Sequence, residues 1–153
     1  MQTFNGIKKM IAINLTVIFF IGLDRFLKVF AFSSQASEFN LLGEILKFGY
    51  KANYYIAFSL PLAGRWLNVI ICFIILSLIY YLVRTWQGGK RKTAICLLAI
   101  IVGAASNLFD RFKYGLVIDY LDLKYFTVFN IADIMIMGGV ASLIIFLFNN
   151  KKL

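Results

Sequence analysis

FNIADIMIMGGVASLIIFLF, residues 129–148, decides the fold. From Ile131 onward it is a nearly continuous apolar run, close to the roughly 20 residues with which a helix crosses about 30 Å of hydrocarbon. Its third residue, however, is the carboxylate Asp133. An Asp at the centre of a membrane helix costs roughly 2.5–3.5 kcal/mol on insertion scales, so an acid at the mouth of such a run needs a chemical reason.

Three more blocks repeat the pattern, at about residues 10–32, 66–83 and 93–109, with 131–148 the fourth. Composition agrees: 61% hydrophobic, 17% aromatic and one proline in 153 residues is far more apolar than a soluble domain of this size. The reading is an all-α integral membrane protein with four transmembrane helices, in one domain spanning residues 1–153. There is no repeat, low-complexity tract or linker. The first block follows basic residues as a secretory signal would, but it is too long and contains Asp24, Arg25 and Lys28, which favours an uncleaved helix. The last two blocks carry "GAAS" and "GG", small residues that let backbones approach, and are expected to pack together.

The cations set the orientation. Lys8 and Lys9 precede the first block, Arg84, Lys90, Arg91 and Lys92 separate the second from the third, and Lys151 and Lys152 follow the fourth. In a four-span chain these places share one side, which the positive-inside rule makes cytoplasmic together with both termini. The formal charge of +9 then reflects topology and attraction to anionic membrane lipid. Nucleic acid is excluded as a partner, because the cations are dispersed among short flanking segments and form no continuous patch.

Residues 33–65 and 110–130 are left outside, and both are long for connectors. The first mixes polar, glycine and aromatic residues in short alternations, which predicts a small strand-containing extracytoplasmic element between the first and second helices.

Absences remove several chemistries. The chain has no histidine, so His-dependent triads and His-ligated zinc are impossible. Cys72 and Cys96 lie within apolar blocks and read as packed thiols without a disulfide. The glycines of "GAAS" and "GGVAS" lack the strand-turn-helix setting of a phosphate loop. Carboxylates remain. Asp24, Asp110, Asp119, Asp122 and Asp133 lie at or beyond the outer helix ends, Glu38 and Glu44 in the first outer segment, and none on the inner side.

Asp24 has Lys28 four residues on, so the two share a helix face and pair, with the lysine reaching outward to the interface. Asp110 and Arg111 read as a polar cap ending the third helix, and Asp122 as solvated. Asp119 and Asp133 have no adjacent cation in sequence. Two acids brought together at a partly dry site share a proton, the state in which one carboxylate activates water while the other protonates a scissile carbonyl. Spacing alone does not bring the two together.

The words around these acids are "LDRFLK" (23–28), "NYYIAFS" (53–59), "SNLFDRFKYGLVIDY" (106–120) and "FNIAD" (129–133). In order, side and length the series resembles the bacterial lipoprotein signal peptidases, or signal peptidases II, over essentially the whole chain. The family pattern is Asp-Gln-x-Thr-Lys, then Asn-x-Gly-x-Ala-Phe, then Gly-Asn-x-x-Asp-Arg-x-x-x-Gly-x-Val-x-Asp, then Phe-Asn-x-Ala-Asp. The resemblance makes Asp119 and Asp133 a catalytic pair supported by Asn107, Asp110, Arg111 and Asn130. It places Asp24 and Lys28 in the first motif, and Asn53, Ala57 and Phe58 in a loop over the substrate. It implies hydrolysis of a prolipoprotein on the N-terminal side of a diacylglyceryl cysteine, by a monomer of the bacterial inner membrane working near the outer face, without metal or cofactor.

Departures mark a divergent member: Arg25 and Leu27 for Gln and Thr, Tyr55 for Gly, Ser106 for Gly, Thr127 for a frequent Pro and Ile134 for a frequent Ser. Tyr55 matters most, since losing a glycine removes backbone freedom. Two rival readings are a small proton-coupled transporter, which predicts midplane acids and an inverted repeat, and a non-catalytic scaffold whose acids cap helices. The outward clustering of acids and the unequal loops argue against the first.

Overall fold

The computed structural model describes residues 2–35, 37–55 and 64–149. The chain runs α1 (Gln2–Ser33), β1 (Phe39–Leu42), β2 (Leu46–Asn53), α2 (Arg65–Gln87), α3 (Arg91–Tyr114), β3 (Val117–Leu123), β4 (Val128–Phe129) and α4 (Ile131–Asn149). All four apolar blocks are helical. The architecture is mostly helical with one small antiparallel sheet. Among the described residues two helices, α2 and α3, are long and apolar enough to cross a membrane.

Boundaries differ from the blocks for physical reasons. At 32 residues and 1.5 Å per residue, α1 is about 48 Å long; no proline precedes Met10 to stop it. α3 continues past Phe109 through Tyr114 and stops at Gly115, which takes a left-handed φ of 73° and donates its N–H to the Arg111 carbonyl. A glycine in that conformation is the ordinary helix terminator. Asp110 and Arg111 therefore sit inside the helix, and their expected role as its cap is overturned.

The strand element is larger than the first outer segment. Its sheet has the order β1-β2-β3-β4, every pair antiparallel, so the second outer segment supplies half of the strands. In the β2–β3 pair, Lys51 stands opposite Asp119 and Asn53 opposite Val117, with an irregularity between Phe48 and Lys51. The start of β3, Val117 to Tyr120, is buried throughout, which hides the two-residue alternation that marks a strand with one wet face. Phe48, Leu116, Ile118 and Tyr120 pack with Ala31 of α1, clamping the sheet to that helix.

The expected pairing of α3 with α4 is present. A Cβ on Gly103 would lie 2.5 Å from the Ala132 carbonyl oxygen, and one on Gly139 would lie 2.9 Å from that of Cys96. No side chain fits at either crossing. Away from these contacts α2 turns large apolar residues outward, with Phe73 72% and Leu76 64% exposed, as a lipid-facing surface does.

Candidate active site

The site grows from the first turn of α4, whose leading N–H groups need partners from outside the helix. Asn130, the residue before it, accepts the Asp133 N–H on its side-chain oxygen at 2.9 Å, and Asp133 Oδ2 accepts the Asn130 N–H at 3.1 Å. This is a reciprocal capping box. The Ile131 N–H donates to the Tyr120 hydroxyl at 3.0 Å and the Ala132 N–H to Asp24 Oδ1 at 3.2 Å. The acid at the mouth of the last apolar run is thus fixed by local helix chemistry, with strand β3 and helix α1 completing the cap.

Asp119 comes to the same place from β3. The Asn130 side-chain amide donates to Asp119 Oδ1 at 2.6 Å, and that of Asn53 to Asp119 Oδ2 at 2.9 Å. Asn107 donates to Asp133 Oδ1 at 2.7 Å and accepts from Asn130 at 3.2 Å. Among the described residues each of the four carboxylate oxygens therefore has one neutral or backbone N–H donor, and neither acid is held by a direct ion pair. Asp119 is 2% exposed. Burial, then the nearby charge of Asp133, pushes it from the ordinary carboxylate value up to about 7, against the hydrogen bonds from Asn53 and Asn130 and the charge of Lys28. The arrangement suits a pair that shares a proton near neutrality.

Behind the acids lies an ion cluster. Lys28, 1% exposed, pairs with Asp110 Oδ2 at 2.8 Å and Asp24 Oδ2 at 3.3 Å and donates to Asn107 Oδ1 at 2.8 Å and Ser106 Oγ at 3.5 Å. The pairing with Asp24 is as expected, but the outward reach of Lys28 is overturned: its head points inward because two fully buried acids need it more than water does. Arg25 donates to Asp110 Oδ1 at 2.7 Å, so two acids and two cations balance. Ser106 donates to Asp24 Oδ2 at 2.6 Å. Arg111 donates through Nη2 to the Tyr55 carbonyl at 2.9 Å, joining the end of α3 to the segment after β2.

Asp24, Lys28, Asn53, Asn107, Asp110, Arg111, Asp119, Asn130 and Asp133 thus converge, whereas Ala57 and Phe58 lie outside the described residues. Tyr55 is not strained. Among the described residues Tyr125 is the one non-glycine with positive φ, so a tyrosine occupies this place at no backbone cost. Asp122 is half-buried, not fully solvated, opposite Lys47 and Val128 in the sheet. No three His, Cys, Asp or Glu side chains among the described residues are grouped to hold a metal ion.

Sequence reasoning missed Tyr120, and gave no role to Arg25 and Ser106. The Tyr120 hydroxyl donates to Asp24 Oδ1 at 3.1 Å while accepting from Ile131. Burial, then the charge of Asp24, pushes its phenol well above the ordinary value, so it remains a donor. The usable signal was the demand of the α4 amides for outside acceptors.

A family model described as signal peptidase (SPase) II matches residues 16–149. The lipoprotein signal peptidase of Halothermothrix orenii is 30% identical over 143 residues, covering 92% of this chain and 97% of that protein. That of Clostridium novyi is 32% identical over 146 residues, covering 90% and 98%. A bacterial membrane enzyme solved by the in meso method superposes with a TM-score of 0.79 at 22% identity, over 92% of this chain and 89% of the other; at that identity the likeness speaks for the fold. The family match spans all four motif words, and the chain belongs to the signal peptidase II family, the lipoprotein signal peptidases.

Proposed function

We propose that Asp119 and Asp133 are the catalytic pair with which this chain, an aspartic peptidase of the signal peptidase II family, removes signal peptides from prolipoproteins. The observation that carries the assignment is Asn130. It donates its side-chain amide to Asp119 and caps the turn that carries Asp133, so one residue registers both acids. In the reaction one carboxylate takes a proton from water as its oxygen attacks the scissile carbonyl carbon, and the protonated partner gives its proton to the carbonyl oxygen. Collapse of the tetrahedral species breaks the C–N bond, and the proton held by the first acid goes to the departing amine. The products are the signal peptide's new carboxylate and the free amino group of the lipid-modified cysteine.

Asn53, Asn107 and Asn130 orient the pair. Asp24, Lys28 and Asp110 hold the elements that carry it, and Arg111 faces the substrate with Ala57 and Phe58. We place all four helices across the bacterial inner membrane as one domain, both termini cytoplasmic and the pair near the outer face, where water is available. A substrate whose signal helix and acyl chains are already in the bilayer then arrives laterally. The transporter and scaffold readings are not favoured once the family is known.

The test is cleavage of a lipidated prolipoprotein by the purified chain. Asp119→Asn and Asp133→Asn should each abolish turnover while inserting normally, and Asp122→Asn should retain most of it. Substantial turnover in both of the first two variants would overturn the pair. Reporters after Gly88 and at the C-terminus should read cytoplasmic and one near Ser37 outside; an outside signal at Gly88 would overturn the four-span topology.

A further inference from the structure

Roughly 20 Å along α3 from Asn107, at the other end of the molecule, α1 and α2 both flank α3 but, among the described residues, scarcely touch one another. The gap between them is a cavity of about 400 Å³. Its walls are apolar, formed by Ile13 of α1, Leu82 and Val83 of α2, and Ile95 and Leu98 of α3. Gln87 and Arg91 stand beside Trp86 at the α2–α3 turn, and Asn14 of α1 adds a third polar side chain to the lining.

Three features identify an occupant. Water needs two to four polar partners to settle in a cavity, and apart from Asn14, Gln87 and Arg91 the lining is apolar, so most of the space suits a hydrocarbon chain better than water. At the mouth, the Arg91 guanidinium lies 4.0 Å from the centre of the Trp86 ring. Stacking there holds its plane and leaves its edge N–H groups free to grip a phosphate in two-pronged fashion. Arg84, Lys90 and Lys92 crowd the same turn, while the sequence has no acid between Glu44 and Asp110.

We propose that this groove is a seat for one anionic phospholipid, an acyl chain between α1 and α2 and the phosphate on Arg91. The charge also says what does not sit there: the amino-terminal part of a signal peptide is basic and is repelled by four cations, and a zwitterionic lipid gains less from them. The leaflet, though not the seat, rests on the cytoplasmic placement of the α2–α3 turn proposed above.

The full chain is reconstituted in nanodiscs of equal phosphatidylglycerol and phosphatidylcholine, extracted in mild detergent and weighed intact with its retained lipid. The expected result is about a fivefold or greater enrichment of phosphatidylglycerol, the scale of one basic residue at a lipid surface. Arg91→Gln should bring retention near parity and Arg91→Lys should fall between. Leu98→Trp, which plugs the floor with the charges intact, should also lose the enrichment while still cleaving substrate. Parity in the unaltered chain would overturn the proposal. So would enrichment that survives Leu98→Trp and Arg91→Gln but vanishes with Lys90→Gln and Lys92→Gln, which would mean diffuse surface attraction. An outside reporter after Gly88 with enrichment retained would move the leaflet and leave the seat standing.

Discussion

Two regions hold ion pairs of nearly identical length in opposite surroundings. On the outer sheet Lys51 meets Glu38 at 2.7 Å and Lys124 meets Glu44 at 2.8 Å, with side chains 40% to 78% exposed. Between α1 and α3, Lys28 meets Asp110 at 2.8 Å and Arg25 meets it at 2.7 Å, with Lys28 and Asp110 1% and 0% exposed. Distance does not separate them, but the fate of a broken partner does. On the sheet, water replaces the lost ion. In the core nothing does, and the surviving charge keeps its whole desolvation cost. The inner region is therefore all-or-none, while the outer one is close to neutral in energy.

The largest expected effect lies next to the inner cluster. Asp119→Asn or Asp133→Asn keeps the size and much of the hydrogen bonding but removes proton transfer, and each should lower turnover by roughly 10²–10⁴-fold or more. The double variant should be little worse, because the acids act as a unit. Single-turnover cleavage of a lipidated substrate measures it; strictly additive losses would mean that the two acids work separately.

Lys28→Met comes next. It leaves Asp24 and Asp110 buried with Arg25 as their one remaining cation, and should cost on the order of 3–5 kcal/mol. The readout is thermal unfolding in detergent. A midpoint within a degree or two of the parent would erase the contrast between the regions.

Acidity separates them in sign. Asp119 is pushed up to about 7 by burial, so the folded chain binds a proton that the unfolded one has released above about pH 4. Its contribution to stability is complete below that value and is lost as pH rises through about 7. Glu38 is held below its ordinary value, first by the Lys51 hydrogen bond and then by its charge. Its contribution is present above the ordinary carboxylate value and is lost as pH falls. Turnover that needs one protonated acid should decline above about pH 7, and Asp119→Asn should flatten the fall of unfolding temperature between about pH 4 and 7, whereas Glu38→Gln should alter the acid side alone.

The smallest effect is expected from Lys124→Gln, which should leave both unfolding temperature and turnover within measurement error. A clear loss would show that the hairpin tips matter more than their exposure implies.

Much of this contrast was legible in the sequence. The apolar blocks were readable because hydrocarbon dictates length, and the acids stood out because hydrocarbon makes them costly. The meeting of Asp119 with Asp133 was not, since it depends on Asn130 bonding across an antiparallel strand end and a helix start that the spacing does not join. β3 was hidden because its first four residues are buried on both faces. The inward turn of Lys28 required Asp110 to lie one helix away, a tertiary fact. Arg25 and Ser106 looked like losses against the family pattern, and in the fold each adds a bond to a buried acid.

The shared cap of α4 has a consequence in time. During synthesis α1 and β3 emerge before α4, and the first N–H groups of α4 find Asp24 and Tyr120 only when it docks against both. Asp133 rides on that same turn. A partly made chain thus carries its two acids on separate pieces; with Asp119 and Asp133 as the proposed catalytic pair, the last helix to arrive would switch the enzyme on, and a hydrolase built inside its own substrate's membrane would stay harmless until it is whole.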